Sequence, residues 1–247
     1  LSNPLLEVAD IPKLREIADR YNLKLSVDNT FSPMLLSPIR LGAHIVVHSL
    51  TKFINGSSDC VAGCICSTSE FITSLTDINS GASMLLGPVL DSFRAASILK
   101  NLHTLHIRMQ KHSENAKFLA EQFENFGFKV YYPGLKSHNQ HELIKSIYNA
   151  KYGFGGMMAV DFKNVETAKQ IIVTMQKAKV GYLAVSLGFY KTLFSMPSHS
   201  TSSEIPEDIQ NEMGLTEGLV RFSVGIDLDI ERSFERIRKS LKKLELI

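Results

Sequence analysis

Residues 46–53 read Val46-Val47-His48-Ser49-Leu50-Thr51-Lys52-Phe53. The stretch begins apolar and β-branched, with Gly42 ahead of it and polar side chains behind, so residues 44–48 predict a buried strand. Lys52 follows just past that strand's end, and the strand ends of open α/β sheets are where such folds bind ligands. Upstream, Leu25-Ser26-Val27-Asp28 predicts a second short strand that ends in a carboxylate and leads into Asn29-Thr30. Two neighbouring strand ends would then offer an amine and an acid to one small molecule. A desolvated lysine amine has a lowered pKa and attacks carbonyls. An anionic aspartate facing a pyridinium nitrogen keeps that ring protonated and electron-withdrawing. Ser49 and Thr51, flanking Leu50 just before the lysine, supply hydroxyls suited to a phosphate.

These are the parts of a pyridoxal-phosphate site, with Lys52 as catalytic anchor and Asp28, Ser49 and Thr51 as cofactor ligands. The same residues admit a plainer reading, because lysines after strands are commonly solvated and Asp-Asn pairs commonly form turns. A wider pattern bears on the choice. Val27-Asp28-Asn29-Thr30, followed by Leu41-Gly42-Ala43 and Val47-His48-Ser49-Leu50-Thr51-Lys52-Phe53, resembles the signature of the Cys/Met-metabolism family of pyridoxal-phosphate enzymes. Val185-Ser186-Leu187-Gly188 and Gly218-Leu219-Val220-Arg221-Phe222-Ser223-Val224-Gly225-Ile226 are similar to its substrate-carboxylate segments, in the same order. The resemblance runs from Asn3-Pro4 nearly to the C-terminus. It implies an α/β, type I aminotransferase-like fold, with residues 1–103 as the C-terminal part of the large, mainly parallel-sheet cofactor domain and residues 104–247 as a smaller α/β domain. It also implies that Asn3 lies beside the cofactor's phenolic oxygen and near substrate, and that Arg221 grips an amino-acid carboxylate with Ser186 assisting. The activity implied is γ-elimination of methionine or a related thioether to a thiol, a 2-oxo acid and ammonia. Its alternatives are γ-replacement on an acylated homoserine and, from another class, a non-catalytic partner or scaffold. Family chains extend well upstream of the position of Leu1, so the expected partners are an N-terminal portion or split subunit and further copies in a dimer of dimers.

Composition is that of an ordinary soluble globular chain. With 247 residues, 44% hydrophobic and 21% charged, it can bury a substantial core. A formal net charge of +2 gives no case for nucleic acid or a membrane surface. No apolar run reaches the ~18 residues of a spanning helix and no signal-peptide pattern opens the chain, so the cytoplasm is the default location. Three cysteines, Cys60, Cys64 and Cys66, are an odd number that argues against a disulfide framework, and no fourth ligand at metal spacing accompanies them.

Elsewhere, Asp10 before Pro12 predicts a capped helix over 12–21 with Leu14, Ile17, Ala18 and Tyr21 recurring at helical spacing. With the strands that follow, this is a βαβ-type alternation. Residues 81–87 predict a small-residue loop. Residues 88–126 carry one long helical stripe that includes Leu90, Phe93, Ile98, Leu102, Met109 and Phe123, and its length predicts a break. His103, His106 and His112 on it lack the spacing of a ligand set and are expected at a surface or interface. Strands are expected over 128–132, 157–162, 180–185 and 219–224, and helices over 165–177 and 228–246. By simple alternation Arg221 would point away from Val220 and Phe222. The polar tract 195–204 reads as a loop bordering the site.

Overall fold

The computed structural model describes the backbone of residues 1–247 and the side chains at every position except 207 and 211. Helix α1, Ile11–Arg20, starts where Asp10 accepts from the Lys13 backbone N–H at 3.2 Å, with Pro12 in the first turn. Of its expected stripe only Ala18 is buried; Leu14, Ile17 and Tyr21 are exposed. Strand β1, Ser26–Asp28, then pairs with β2, Ile45–Ser49, in parallel, Asp28 lying opposite Val47. The crossover between them is a string of turns over residues 29–44 rather than a helix. After a π-helical turn, Leu50–Ile54, strand β3, Gly63–Cys66, joins β2 antiparallel, so this three-stranded sheet is mixed.

Four helices follow: α2 (Ser69–Leu75), α3 (Ala82–Leu86), α4 (Ser92–Leu102) and α5 (Leu105–Asn125). The loop expected over 81–87 holds the short α3. Gly81 precedes it where a Cβ would come within 2.5 Å of the Leu75 and Asp77 backbone, and Gly87 ends it at φ +64°. The long stripe is two helices: Asp91 caps α4 by accepting from the Phe93 and Arg94 N–H groups, and residues 103–104 separate α4 from α5. Its buried part is Ile98, Leu105, Met109, His112, Ala116, Leu119 and Phe123, whereas Leu90, Phe93 and Leu102 are exposed. His103 and His106 are exposed, and His112, expected at a surface or interface, is instead a fully buried core residue.

The second sheet is built from β4 (Lys129–Tyr131), β5 (Met157–Asp161), β6 (Tyr182–Leu183), β7 (Leu193–Ser195) and β8 (Leu219–Ser223), in the order β4-β5-β8-β7-β6. Only the β6–β7 pair is parallel. Helix α6 (His141–Ile147) lies between β4 and β5, α7 (Val165–Lys177) follows β5, α8 (Glu207–Met213) precedes β8, and α9 (Ile230–Lys243) ends the fold. Phe123 of α5, Ile171 and Met175 of α7, and Phe234, Ile237 and Leu241 of α9 share one cluster with Met158, Val160, Val220 and Phe222 of the strands. That cluster takes alternate residues of β5 and β8, as the two-residue period of a strand requires. The other residues of β8, Leu219, Arg221 and Ser223, therefore face the opposite side, which is also buried.

Candidate active site

The lysine sits in a turn that departs from regular helix. Over Leu50–Ile54 the backbone closes with the Asn55 N–H donating to the Leu50 carbonyl at 2.9 Å, an i→i+5 bond. Lys52 itself has φ −87° and ψ −130°, outside helical values. Single π turns of this kind are frequent at functional sites. Lys52 Nζ donates to Ser186 Oγ at 2.9 Å, and no carboxylate pairs with it among the described residues. Burial, and secondarily the Arg221 guanidinium, hold its amine below the ordinary lysine range.

Arg221 comes from the far side of the cleft. By alternation it leaves the Phe222 face, as the sequence suggested, yet the face it enters is covered and the residue is only 2% exposed. Its Nη1 donates to Asn3 Oδ1 at 2.9 Å, and its Nη2 to the Val185 carbonyl at 2.9 Å and the Ser186 carbonyl at 3.4 Å. All three acceptors are neutral. Desolvation drops its pKa to about 10. A buried cation without an ion partner is costly, and a second cation beside it adds repulsion.

One strap, residues 185–190, fastens these two halves together. The Gly188 N–H donates to Ser223 Oγ at 2.8 Å and the Tyr190 N–H to the Gly56 carbonyl at 3.2 Å. Gly188, at φ +73°, lies so close to the lysine turn that a Cβ would fall 2.3 Å from the Phe53 nitrogen. Ser186 therefore faces Lys52 while its own carbonyl faces Arg221.

The other sequence candidates gather at the parallel strand ends. Asp28 is exposed at the end of β1, its Oδ1 accepting from the Thr30 N–H at 2.9 Å. Thr30 Oγ1 in turn accepts from the Ser49 N–H at 2.9 Å, tying the Asp28 end to the Ser49 end. Asp28 is close enough to His48 and to the Leu1 end for its charge to act on both. Ser49 Oγ makes no hydrogen bond among the described residues, so it is free to donate outward. Thr51 Oγ1 is engaged by Ala62, accepting from its N–H at 3.0 Å and lying 3.3 Å from its carbonyl. That bond departs from the expectation of a hydroxyl aimed at phosphate.

The structure thus brings Lys52, Ser186, Arg221 and Asn3 into one hydrogen-bonded group, with Asp28 and Ser49 at the adjoining strand ends. This donor set fits pyridoxal phosphate: an amine of lowered pKa, an exposed carboxylate, a free hydroxyl and, among the described residues, no acid paired with the cations. Two participants escaped the sequence reading. Ser195 pairs with Arg221 across β7–β8, and its buried Oγ has no hydrogen-bond partner. Ser223 anchors the strap. Ser195 was hidden because β7 spans only three residues, too few for an alternation signal, and Ser223 because alternation along β8 does not say that the strap crosses that face. A cavity of about 950 Å³ lined by Tyr182, Tyr190 and Lys191 contains none of Lys52, Ser186 or Arg221. Among the described residues, no cluster of His, Cys, Asp or Glu could hold a metal ion, and no helix is long and apolar enough to cross a membrane.

Comparison with known proteins follows the same lines. Residues 1–238 match the family model described as Cys/Met metabolism PLP-dependent enzyme. A methionine gamma-lyase of Arabidopsis thaliana is 40% identical over 245 residues, which are 99% of this chain and 56% of the relative. A cystathionine gamma-lyase of Bacillus subtilis is 36% identical over 247 residues, 98% of this chain and 62% of the relative. The crystal structure of cystathionine gamma synthase from Xanthomonas oryzae pv. oryzae in complex with cystathionine superposes with a TM-score of 0.89 at 33% identity, covering 100% of this chain and 62% of that one. The chain therefore spans between 56% and 62% of the length of these proteins.

Proposed function

Because the chain belongs to the Cys/Met metabolism PLP-dependent enzyme family, we propose that it carries the substrate-binding and lysine-bearing part of a carbon–sulfur lyase. The reaction proposed is γ-elimination, in which methionine or a related thioether plus water gives a thiol, a 2-oxo acid and ammonia. The observation that supports it is the pair of cations at the cleft: Lys52 with a depressed amine pKa, and the buried Arg221 whose partners are all neutral. An amino-acid carboxylate supplies the missing anion, and a guanidinium holds it with two parallel hydrogen bonds.

Each residue then has a defined task. Arg221 takes the substrate carboxylate, with Asn3 fixing the plane of its guanidinium through the 2.9 Å bond and Ser195 Oγ available as a further donor. Lys52 would hold the cofactor's aldehyde carbon, and its amine, when free, moves protons at Cα and Cβ of the substrate. Ser186 Oγ, 2.9 Å away, keeps that amine over the substrate position. Asp28 would meet the pyridine nitrogen, Ser49 the phosphate, and Asn3 the ring's phenolic oxygen. Thr51 would reach the phosphate only by giving up Ala62. Bound pyridoxal phosphate supplies an electron sink for charge developing at the substrate carbon.

The remaining wall of the pocket comes, in this reading, from further polypeptide upstream of Leu1 or from a separate subunit, within a cytoplasmic dimer of dimers. A second reading, γ-replacement on an acylated homoserine, is favoured by the likeness to the cystathionine gamma synthase structure. Assaying 2-oxobutanoate released from methionine against thioether formed from acylated homoserine and cysteine separates the two. Lys52→Ala should abolish either reaction. A cofactor-loaded assembly that includes the polypeptide supplying the remaining wall and still turns over neither substrate would overturn the lyase and synthase readings together and leave a scaffold.

A further inference from the structure

The turn that carries Lys52 is held from behind by one side chain that neither the sequence motifs nor the site geometry used. Arg108, on α5, donates from Nη1 to the Phe53 carbonyl at 2.6 Å and from Nη2 to the Ile54 carbonyl at 2.7 Å. The same Nη2 reaches the Asn101 carbonyl at the end of α4 at 3.0 Å, and Nε reaches Thr104 Oγ1 at 3.2 Å. The last carbonyls of a helical turn lack intrahelical donors, and at a π turn only one residue past the lysine they belong to Phe53 and Ile54. A planar guanidinium is the side chain that can take two such carbonyls at once. Gly56 leaves room for it: a Cβ there would lie 2.4 Å from Arg108 Nη1. Gly188 of the strap also packs against this turn, where a Cβ would lie 2.3 Å from the Phe53 nitrogen.

We propose that Arg108 is a positioning residue for Lys52, clamping the turn against the strap so that the amine stays beside Ser186 and Arg221. The idea rests on the assignment of Lys52 as the reactive amine, and it says what keeps that amine in place. Without the clamp the turn can back away from Gly188, and the lysine moves toward solvent, where its amine titrates as an ordinary lysine.

The test uses the intact protein without cofactor, comparing wild type, Arg108→Met and Arg108→Lys by peptide mass spectrometry after brief acetylation across pH. Arg108→Met keeps the aliphatic bulk and loses the donors; at pH 8 its Lys52 should label more slowly than wild type, as its labelling curve shifts to higher pH toward that of surface lysines. Arg108→Lys, with a single ammonium in place of the fork, should lie between, and it decides the matter should the methionine variant fail to fold. Amide exchange at Asn55 and Gly56 should quicken in the same order. A clamp that is only a brace for the fold would lower Tm and leave the Lys52 curve where it was; that result overturns the proposal. Failure of wild-type Lys52 to trap pyridoxal phosphate with borohydride would instead count against the assignment of Lys52, independently of the acetylation series.

Discussion

At the scale of single residues, the site is defined by a charge imbalance. Burial lowers the Lys52 amine first, and Arg221 lowers it further. Arg221→Met removes only the second cause, so the Lys52 pKa should rise and still stay below that of a surface lysine. Amine labelling of the cofactor-free protein measures this, and a fall in the pKa would contradict it. The same variant should raise KM for the amino acid far more than it alters cofactor content. His112 gives a second residue-scale expectation. Its ring is fully buried, Nδ1 against the Val224 carbonyl at 2.6 Å and Nε2 without a partner, and its pKa falls to about 4. A lowered folded-state pKa means that protons favour the unfolded chain, so this contribution is intact above about 6.5 and is lost as pH falls toward 4. Wild type should lose up to about 3 kcal/mol more stability across that window than His112→Gln does. Parallel urea titrations at pH 7 and pH 4.5 would show it, and an equal loss of unfolding free energy in wild type and variant would rule it out. Lys52 and Asp28 were legible because strand ends followed by reactive side chains are local patterns. The covering of Arg221 was not, because alternation states which face a residue takes and says nothing of what lies over that face.

At the scale of elements, legibility tracked how local the cause is. The helix expected over 165–177 is α7, Val165–Lys177, where Asn164 caps the start by accepting from the Thr167 N–H. The strand expected over 180–185 is paired only at Tyr182–Leu183, since Ala184 and Val185 already belong to the approach of the strap. The π turn has no signature of its own; it depends on Arg108 and Gly188, residues far apart in sequence. Sheet direction is equally non-local: β3 returns antiparallel after the parallel β1–β2 pair. This view predicts the effect of Gly188→Ala. A Cβ there meets backbone at 2.3 Å and 2.7 Å, and φ is +73°, so the strap must lift. The expected loss is about 1–3 kcal/mol of stability, together with the Lys52–Ser186 contact. Calorimetry would find an unaltered Tm only if the strap were not seated on the lysine turn.

At the scale of the whole chain, the two sheets are finished differently. The second is covered by α5, α7 and α9 over one continuous core, whereas the part around the first sheet shows large apolar side chains to solvent. Leu86 is 82% exposed, Val89 89% and Phe93 87%, and a groove of about 460 Å³ is lined by Met34, Leu50, Leu90, Leu99 and Leu102. Isolated exposed leucines are ordinary, but several large apolar side chains left exposed within one short segment, with an apolar groove lined from the same part of the chain, mark an interaction surface or an association hazard. The asymmetry explains why the stripe of residues 88–126 predicted more burial than occurs: Leu90, Phe93 and Leu102, in its N-terminal part, stay exposed. The 247-residue chain by itself should therefore self-associate at concentrations on the order of 10 μM, which light scattering behind a sizing column would register. Replacing Leu86 and Phe93 together by Glu should suppress that association and leave the unfolding temperature nearly unchanged, because both side chains are mostly exposed and contribute little buried area to the fold. A wild-type chain that runs as a monomer throughout this range would show that the apolar face is not sticky, and a double variant that unfolds early would show that these side chains are packed rather than free.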